Sequence, residues 1–435
     1  MILPLEQDAS NGLFFTMSVP QKLPPWLMTA LSSDRHISNV LHILSDREFK
    51  RNQTRNASRT AAWEQADPSS TPLTRQHLSS FIARRNLDIP SSHAEHYAIA
   101  TGLHSIHREL NRYTDVIPYD LTRVVVYDGY VGHGAEQNAG TYLNASWVLE
   151  RGGQKWWIAT QAPVKPAAHT FLSVLLQPII KPPHSTISYR SRVRTVVQLT
   201  QNIEGGRRKA DSYFPTEVGQ SFVVQPEDGY LGPPLKVTLQ EARQIDEARC
   251  VESTVSILPL SSATLYEQRS GEDADHRTPD DRTIIFKHLL YASWPDHGVP
   301  KPEDQTSLLS FIRLVDVINR DTSSCHIPLS SSDEEVDPDP PIMVGCSAGI
   351  GRTGSFIALS SLMREYGFLQ PALRPTLPSV LPSSPLGPLP DQLQGDKVSQ
   401  EVDSLREQRP GMVQRPEQVV LIYEALAEAF GLHTQ

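Results

Sequence analysis

The stretch IMVGCSAGIGRTG, residues 342–354, decides how the rest of this sequence is read. An apolar run, Ile342 to Val344, leads through Gly345 to Cys346. Small or neutral residues follow, then Arg352, and the pattern over 351–366 is helical. The string therefore predicts a buried strand, a tight loop and a helix. Such a loop can curl so that successive backbone N–H groups point inward as an anion nest. The helix adds the positive end of its dipole. Arg352 adds a planar, permanent cation whose fork suits two phosphate oxygens. A thiol in that field is expected to ionise readily, and a thiolate facing a cradled phosphate is a nucleophile for phosphoryl transfer. The spacing of Cys346 and Arg352 alone is weak, because it arises easily by chance. The glycines at 349, 351 and 354 and the strand–loop–helix setting give it weight. A nucleotide-binding P-loop needs Gly-x4-Gly-Lys-Ser/Thr, and here the basic residue is Arg and the spacing differs.

Cleaving a phosphate ester also needs a proton for the leaving oxygen. The string WPDHGVP, residues 294–300, places Asp296 between Pro295 and a His-Gly pair. Proline and glycine punctuate a loop able to close on a substrate. Alone this is an ordinary turn aspartate; beside Cys346 and Arg352 it becomes the candidate general acid.

Working outward, helical spacing recurs over 78–87 and at Ile99, Leu103, Ile106 and Leu110. Short apolar runs at 123–127, 156–160, 195–200, 236–239, 254–260 and 283–290 read as strands. Pro302 opens a helix carrying Leu308, Leu309, Ile312 and Val315, and another spans 416–430, with Gly431 past its end. Strands in the middle with helices at both ends predict an α+β (α/β-type) fold with a central mixed sheet flanked by helices. The catalytic domain is placed at 73–432. Residues 1–72 read as an N-terminal arm, largely disordered or weakly helical, with one helix over 36–49 and an Arg-rich polar stretch from Arg47 to Arg59. An acidic insertion at 329–341 and a Pro-rich one at 371–396 interrupt the plan, and neither is expected to order itself. Ser330, Ser331 and Ser332 precede the acids and read as a target for an acid-directed kinase. The Pro375–Pro378 and Pro382–Pro385 spacings suggest a polyproline-reading partner at 371–390.

Composition sets bounds. A net charge of −9 over 435 residues argues against a dedicated nucleic-acid binder. No apolar run approaches the ~18 residues of a membrane span. Three distant cysteines make a disulfide framework improbable and favour a reducing compartment, hence cytoplasm with nuclear access open. Proline, at 35 residues, is in excess of the usual ~5%, which fits a real core carrying decorated loops.

These strings together resemble the classical protein tyrosine phosphatase family, of the non-receptor, cytosolic type. Besides 342–354 and 294–300, the resemblance rests on NRYTDVIPYD (111–120), YLNAS (142–146), IATQAP (158–163), EGGRRKADSYFP (204–215) and REQRPGMVQ (406–414). They occur in family order from about residue 75 to 430. The resemblance implies a highly twisted sheet and a phosphate-binding loop between strand and helix. It implies that Cys346 attacks phosphorus to form a cysteinyl-phosphate, that Arg352 holds the phosphoryl oxygens, and that Thr353 donates to the departing thiolate. Asp296 would protonate the phenol and then take a proton from water, which Gln414 orients with Gln418 nearby. Tyr113 would stack on the substrate ring and set pocket depth, and Asp115 would hold the peptide backbone. Glu204 would steady Arg352, Lys209 would pair with the acid loop, and Ser347, Ala348, Gly349, Ile350 and Gly351 would cradle the phosphate. No metal or cofactor is implied. The partners implied are phosphotyrosine proteins, with mitogen-activated protein kinases suggested by fungal members with such inserts.

The chain departs from the family at Gly345, where His usually precedes the nucleophile. That leaves two other readings: an impaired, phosphotyrosine-binding pseudophosphatase, or a dual-specificity or lipid phosphatase sharing the Cys–Arg loop.

Overall fold

The computed structural model describes residues 22–66, 91–126, 140–176, 191–227, 232–260, 283–295, 298–323 and 337–432. Among them, nine strands form one mixed sheet in the order β1-β2-β3-β11-β4-β10-β9-β8-β7. These are β1 Arg123–Val126, β2 Thr141–Leu149, β3 Trp156–Gln161, β4 Thr195–Gln198, β7 Ser221–Val224, β8 Leu235–Ile245, β9 Cys250–Pro259, β10 Ile284–Tyr291 and β11 Ile342–Cys346. A small hairpin, β5 Ile203–Glu204 with β6 Arg207–Arg208, stands apart. The longer helices are α1 Pro25–Leu31, α2 Asp34–Ala66, α3 Ala168–Leu176, α4 Pro302–Arg320, α5 Gly351–Glu365, α6 Lys397–Gln408 and α7 Pro416–Ala429.

β11 lies mid-sheet, parallel to β3 on one side and β4 on the other. Every residue of β3 and β11 is buried, as strands covered on both faces must be. Alternation divides β11 between two cores: Ile342, Val344 and Cys346 join one and Met343 the other. Cys346 thus leaves the carboxyl end of a central parallel strand, where α/β sheets open a crevice. α5 then runs back buried on all sides from Gly351 to Arg364.

α4 starts with Pro302 at its first turn and acids Glu303 and Asp304 near its positive end. Its expected apolar face, Leu308, Leu309, Ile312 and Val315, is buried. α7 buries Val419, Tyr423, Leu426 and Ala427, and Gly431 lies past its end at φ 87°.

Four expectations change. In the N-terminal segment, residues 22–66 are two packed helices rather than a loose arm; residues 1–21 and 67–72 lie outside the described residues. Leu27, Ala30, Val40 and Leu44 belong to the main core, the cluster that also holds Phe356. Arg47 and Arg51 of the Arg-rich stretch are buried: Arg47 pairs with Asp403, and Arg51 with Asp403 and Glu407 of α6. The Pro-rich segment 371–396 is ordered because it uses the domain's core instead of building one. Leu389 and Leu393 are buried, the Thr376 N–H donates to the Gln154 carbonyl, and Arg47 donates to the carbonyls of Leu386, Gly387 and Pro388. A 3₁₀ turn at Pro378–Val380 interrupts its extended run, so a polyproline reader would have to displace these contacts. Of the acidic insertion, Asp337 is buried and the carboxylate of Asp339 enclosed, and both are paired, Asp339 with Lys155 and Arg320 and Asp337 with Arg374. Ser330–Ser332 and the helical pattern at 78–87 lie outside the described residues.

The helix expected through Ile99 to Leu110 is broken. His104 is extended between the short turns Ala100–Leu103 and Ser105–Leu110, and Ile106 is exposed. No described helix is long and apolar enough to cross a membrane.

Candidate active site

The loop from Cys346 to Ile350 is shaped by donors that capture its carbonyls. The Ala162 N–H donates to Cys346 O at 2.8 Å and Ser347 O at 3.2 Å. Arg409 donates from Nη2 to Ala348 O at 3.2 Å and from Nε to Gly349 O at 2.8 Å. The N–H groups of Gly354 and Val413 donate to Ile350 O at 2.9 and 3.1 Å. With its carbonyls held from behind, the loop is left to offer its N–H groups to an anion. The sequence permits this at Gly349: its φ is 71°, and a Cβ there would come 2.2 Å from the Thr160 carbonyl oxygen.

Arg352 lies at the first turn of α5. It forms a bidentate pair with Glu204, at 2.7 and 2.8 Å, and donates to the Leu199 carbonyl at 2.9 Å. Glu204 comes from the β5–β6 hairpin and also accepts from the Thr200 hydroxyl and the Gln201 N–H. Three elements therefore fix the guanidinium plane. Thr353 is fully buried on the same turn, and its hydroxyl has no hydrogen-bond partner among the described residues.

The residues expected to wall the substrate pocket are tied to the loop. The hydroxyls of Tyr113 and Ser347 share a hydrogen bond of 2.8 Å, and the Ser347 hydroxyl donates to the Lys209 carbonyl at 2.8 Å. Lys209 is buried and Asp115 is exposed on the Tyr113 loop. Arg112, before Tyr113, donates to Pro163 O and pairs with Asp211 at 2.7 Å; Asp211 also pairs with Arg208 of the hairpin. Those two guanidiniums hold the Asp211 carboxyl below its ordinary range against the upward push of burial. Gln418 is buried against the first turn of α5, where a Cβ on Gly351 would lie 3.0 Å from its Nε2. Gln414 is exposed on the loop between α6 and α7.

Asp296 and His297 lie outside the described residues. The ends of their loop are joined, since the buried Trp294 donates from Nε1 to the Gly298 carbonyl at 3.1 Å.

Gly345 acquires a structural reason. A Cβ there would sit 2.7 Å from the Thr160 carbonyl oxygen and 3.2 Å from Thr160 Cγ2. A side chain at 345, histidine included, would therefore require the β3 backbone at Thr160 to shift.

Sequence reasoning missed Arg409. It is fully buried beneath the loop and also donates to Asn144 Oδ1 at 2.8 Å and Ser146 Oγ at 3.2 Å. Burial pulls its guanidinium down to about 10, against the upward pull of Tyr142 and the Cys346 sulfur. Its one sequence signal is negative: Leu405 and Arg406, four and three residues back, are not acidic, so nothing local pairs it. Asn111, in the NRYTDVIPYD string, carries the support one layer deeper: its Oδ1 accepts from Tyr142 and Asn144.

Comparison with known proteins bears on this geometry. The family description protein-tyrosine phosphatase matches residues 107–368. Tyrosine-protein phosphatase non-receptor type 9 of Rattus norvegicus and of Homo sapiens are each 28% identical over 320 residues, covering 74% of this chain and 41% of the relative. Receptor-type tyrosine-protein phosphatase F of Homo sapiens is 28% identical over 327 residues, covering 74% of this chain and 12% of the relative. The chain thus spans about two fifths of the first relatives' length and about an eighth of the last.

Proposed function

This chain belongs to the protein-tyrosine phosphatase family, and from that premise we propose that it hydrolyses phosphotyrosine in proteins through a cysteinyl-phosphate on Cys346. The observation that carries the reading is the cradle itself: five loop carbonyls held from outside, with Arg352 locked in plane by Glu204 beside a buried thiol. This arrangement suits an incoming dianion and the charge that spreads over the equatorial oxygens during transfer.

In the first step the Cys346 thiolate attacks phosphorus while the bond to the tyrosyl oxygen breaks, and Asp296 supplies the proton to that oxygen. In the second, water attacks phosphorus, its proton passes to Asp296, and the P–S bond breaks to return the thiolate. Gln414 orients the water and the Thr353 hydroxyl stabilises the sulfur as it leaves. Tyr113, held by Ser347, lines the pocket wall. A pocket walled by that ring suits phosphotyrosine, whereas phosphoserine would leave its phosphate short of the thiol. Asp115 holds the substrate backbone at the rim, and Lys209 pairs with the acid loop. A cytoplasmic location with nuclear access belongs to the same reading, since the thiol must stay reduced. Mitogen-activated protein kinases are the substrates that the resemblance favours.

The close approach of Thr160 argues against reading Gly345 as decay toward a non-catalytic binder. The test is hydrolysis of phosphotyrosine, phosphoserine and phosphoinositide substrates by wild type, Cys346→Ser and Asp296→Ala. Phosphotyrosine alone should be cleaved, Cys346→Ser should be inactive, and Asp296→Ala should trap substrate. Equal cleavage of phosphoserine or phosphoinositide would overturn the substrate assignment.

A further inference from the structure

Val413 directly precedes Gln414 and has φ 53°. A buried, β-branched residue in the left-handed region is a backbone outlier that persists only where its surroundings impose it. Here they do. The Val413 N–H donates to Ile350 O at 3.1 Å, against the first turn of α5, where a Cβ on Gly354 would lie 2.4 Å from that nitrogen. From the other side Arg406 donates from Nη2 to Val413 O at 2.7 Å and from Nε to Met412 O at 2.8 Å.

The third arm of Arg406 points away from the site. Nη1 donates at 2.8 Å to the carbonyl of Leu44, in the first half of α2. α2 is fixed to the same stretch of α6 by Arg47 on Asp403, at 2.8 and 2.9 Å, and by Arg51 on Asp403 and Glu407. Arg406 sits between those two carboxylates in sequence and is itself buried. The N-terminal helix, the end of α6 and the backbone before Gln414 are therefore joined through one guanidinium.

We propose that α2 and Arg406 form a brace that imposes the strained backbone of Val413 and so aims Gln414, and that this brace serves the second half-reaction. Arg406 is a positioning residue. It contacts two backbone carbonyls of the Gln414 loop and one of α2, and it acts on water through that loop. The inference rests on the cysteinyl-phosphate reading above. Water attack forms a P–O bond, breaks P–S and delivers a proton to Asp296. Formation of the intermediate does not involve Gln414, so a loosened brace should leave the first step intact.

The test is rapid mixing with p-nitrophenyl phosphate, following nitrophenolate release by wild type, Arg406→Gln, Val413→Gly and the double variant. Arg406→Gln should release a burst approaching one nitrophenolate per enzyme at the wild-type rate. A steady state roughly 10- to 100-fold slower should follow, the scale expected when a reacting group is misplaced by about 1 Å. Glycine takes positive φ without strain. In the Val413→Gly background the Arg406 substitution should therefore slow the steady state by less than about threefold, a non-additivity that a merely structural arginine would not give. If Arg406→Gln does not fold, Asp403→Asn, which loosens the grip of α2 while leaving Arg406 its three carbonyls, should give a smaller burst of the same kind, and its absence overturns the brace. Burst and steady phases slowed together, or equal costs in both backgrounds, also overturn it. A wild type that does not turn over p-nitrophenyl phosphate overturns both this inference and the hydrolytic reading.

Discussion

The phosphate loop and the N-terminal clasp meet at the Gln414 loop, yet they are held by opposite devices. Around the phosphate loop the fit depends on missing side chains. Gly345 and Gly349 lie where a Cβ would strike Thr160, and Gly354 lies where one would strike Val413. In the clasp the fit depends on the longest side chains. Arg47, Arg51 and Arg406 run through the interface to carboxylates and carbonyls far away in sequence. A glycine fit is local and stiff, and errors in it displace chemistry. An arginine clasp is remote and electrostatic, and errors in it leave buried charge unpaired. Arg409 belongs to both, a buried cation that serves the loop.

The contrast is sharpest at Arg409. Arg409→Leu leaves Ala348 O, Gly349 O and Asn144 Oδ1 without their donor. Phosphotyrosine kcat/KM should fall on the order of 100-fold or more, the scale of losing an oriented donor, with a lowered Tm. Arg51→Met should instead show mainly in stability. It removes a buried partner of Asp403 and Glu407, worth about 3–5 kcal/mol when one side of a buried pair is lost. Urea unfolding should record that loss, with any change in kcat confined to the burst-to-steady ratio. Equal damage to activity from both variants would erase the distinction. Gly345→Ala is the intermediate case. Overpacking against Thr160 should cost about 1–3 kcal/mol in urea unfolding, and an unchanged midpoint would show that β3 can yield.

How much of this was legible follows the same division. The strand–loop–helix, the α4 and α7 faces and the order of the motifs were readable because glycine spacing and apolar periodicity are local signals. β2 and α6 were missed. β2 is buried along nearly its whole length and so does not alternate, and the face of α6 includes Glu401, Asp403 and Arg406. Of the N-terminal helices only the part of α2 over 36–49 was legible, and α1, the rest of α2 and their packing were missed for a related reason. Their apolar stripe is thin, and the arginines completing it have partners about 350 residues away, which no local pattern records.

Glu407 and Glu401 offer the smallest effect, with opposite signs on one helix. Burial pushes the Glu407 carboxyl up, but His96 and Arg51 outweigh it and hold it down at about 2. A depressed folded value gives stability that is present above the unfolded value of about 4.5 and lost as pH falls toward about 2. Burial lifts Glu401 to about 7 despite the N–H groups of Arg151 and Gly152. Its contribution is present below about 4.5 and lost as pH rises toward about 7. Glu407→Gln should flatten the acid limb of stability against pH, and Glu401→Gln the limb above it. Unchanged limbs would contradict the buried pairing of α6.

The central claim is that Cys346 becomes phosphorylated in a cradle built by the loop's own backbone. The most direct measurement is rapid quenching of enzyme with a ³²P-labelled phosphotyrosine peptide, followed by peptide mapping. The account predicts label on the peptide containing Cys346 in the wild type, more of it in Arg406→Gln and none in Cys346→Ser. Undiminished phosphotyrosine hydrolysis by Cys346→Ser, or turnover with no labelled thiol, would contradict it.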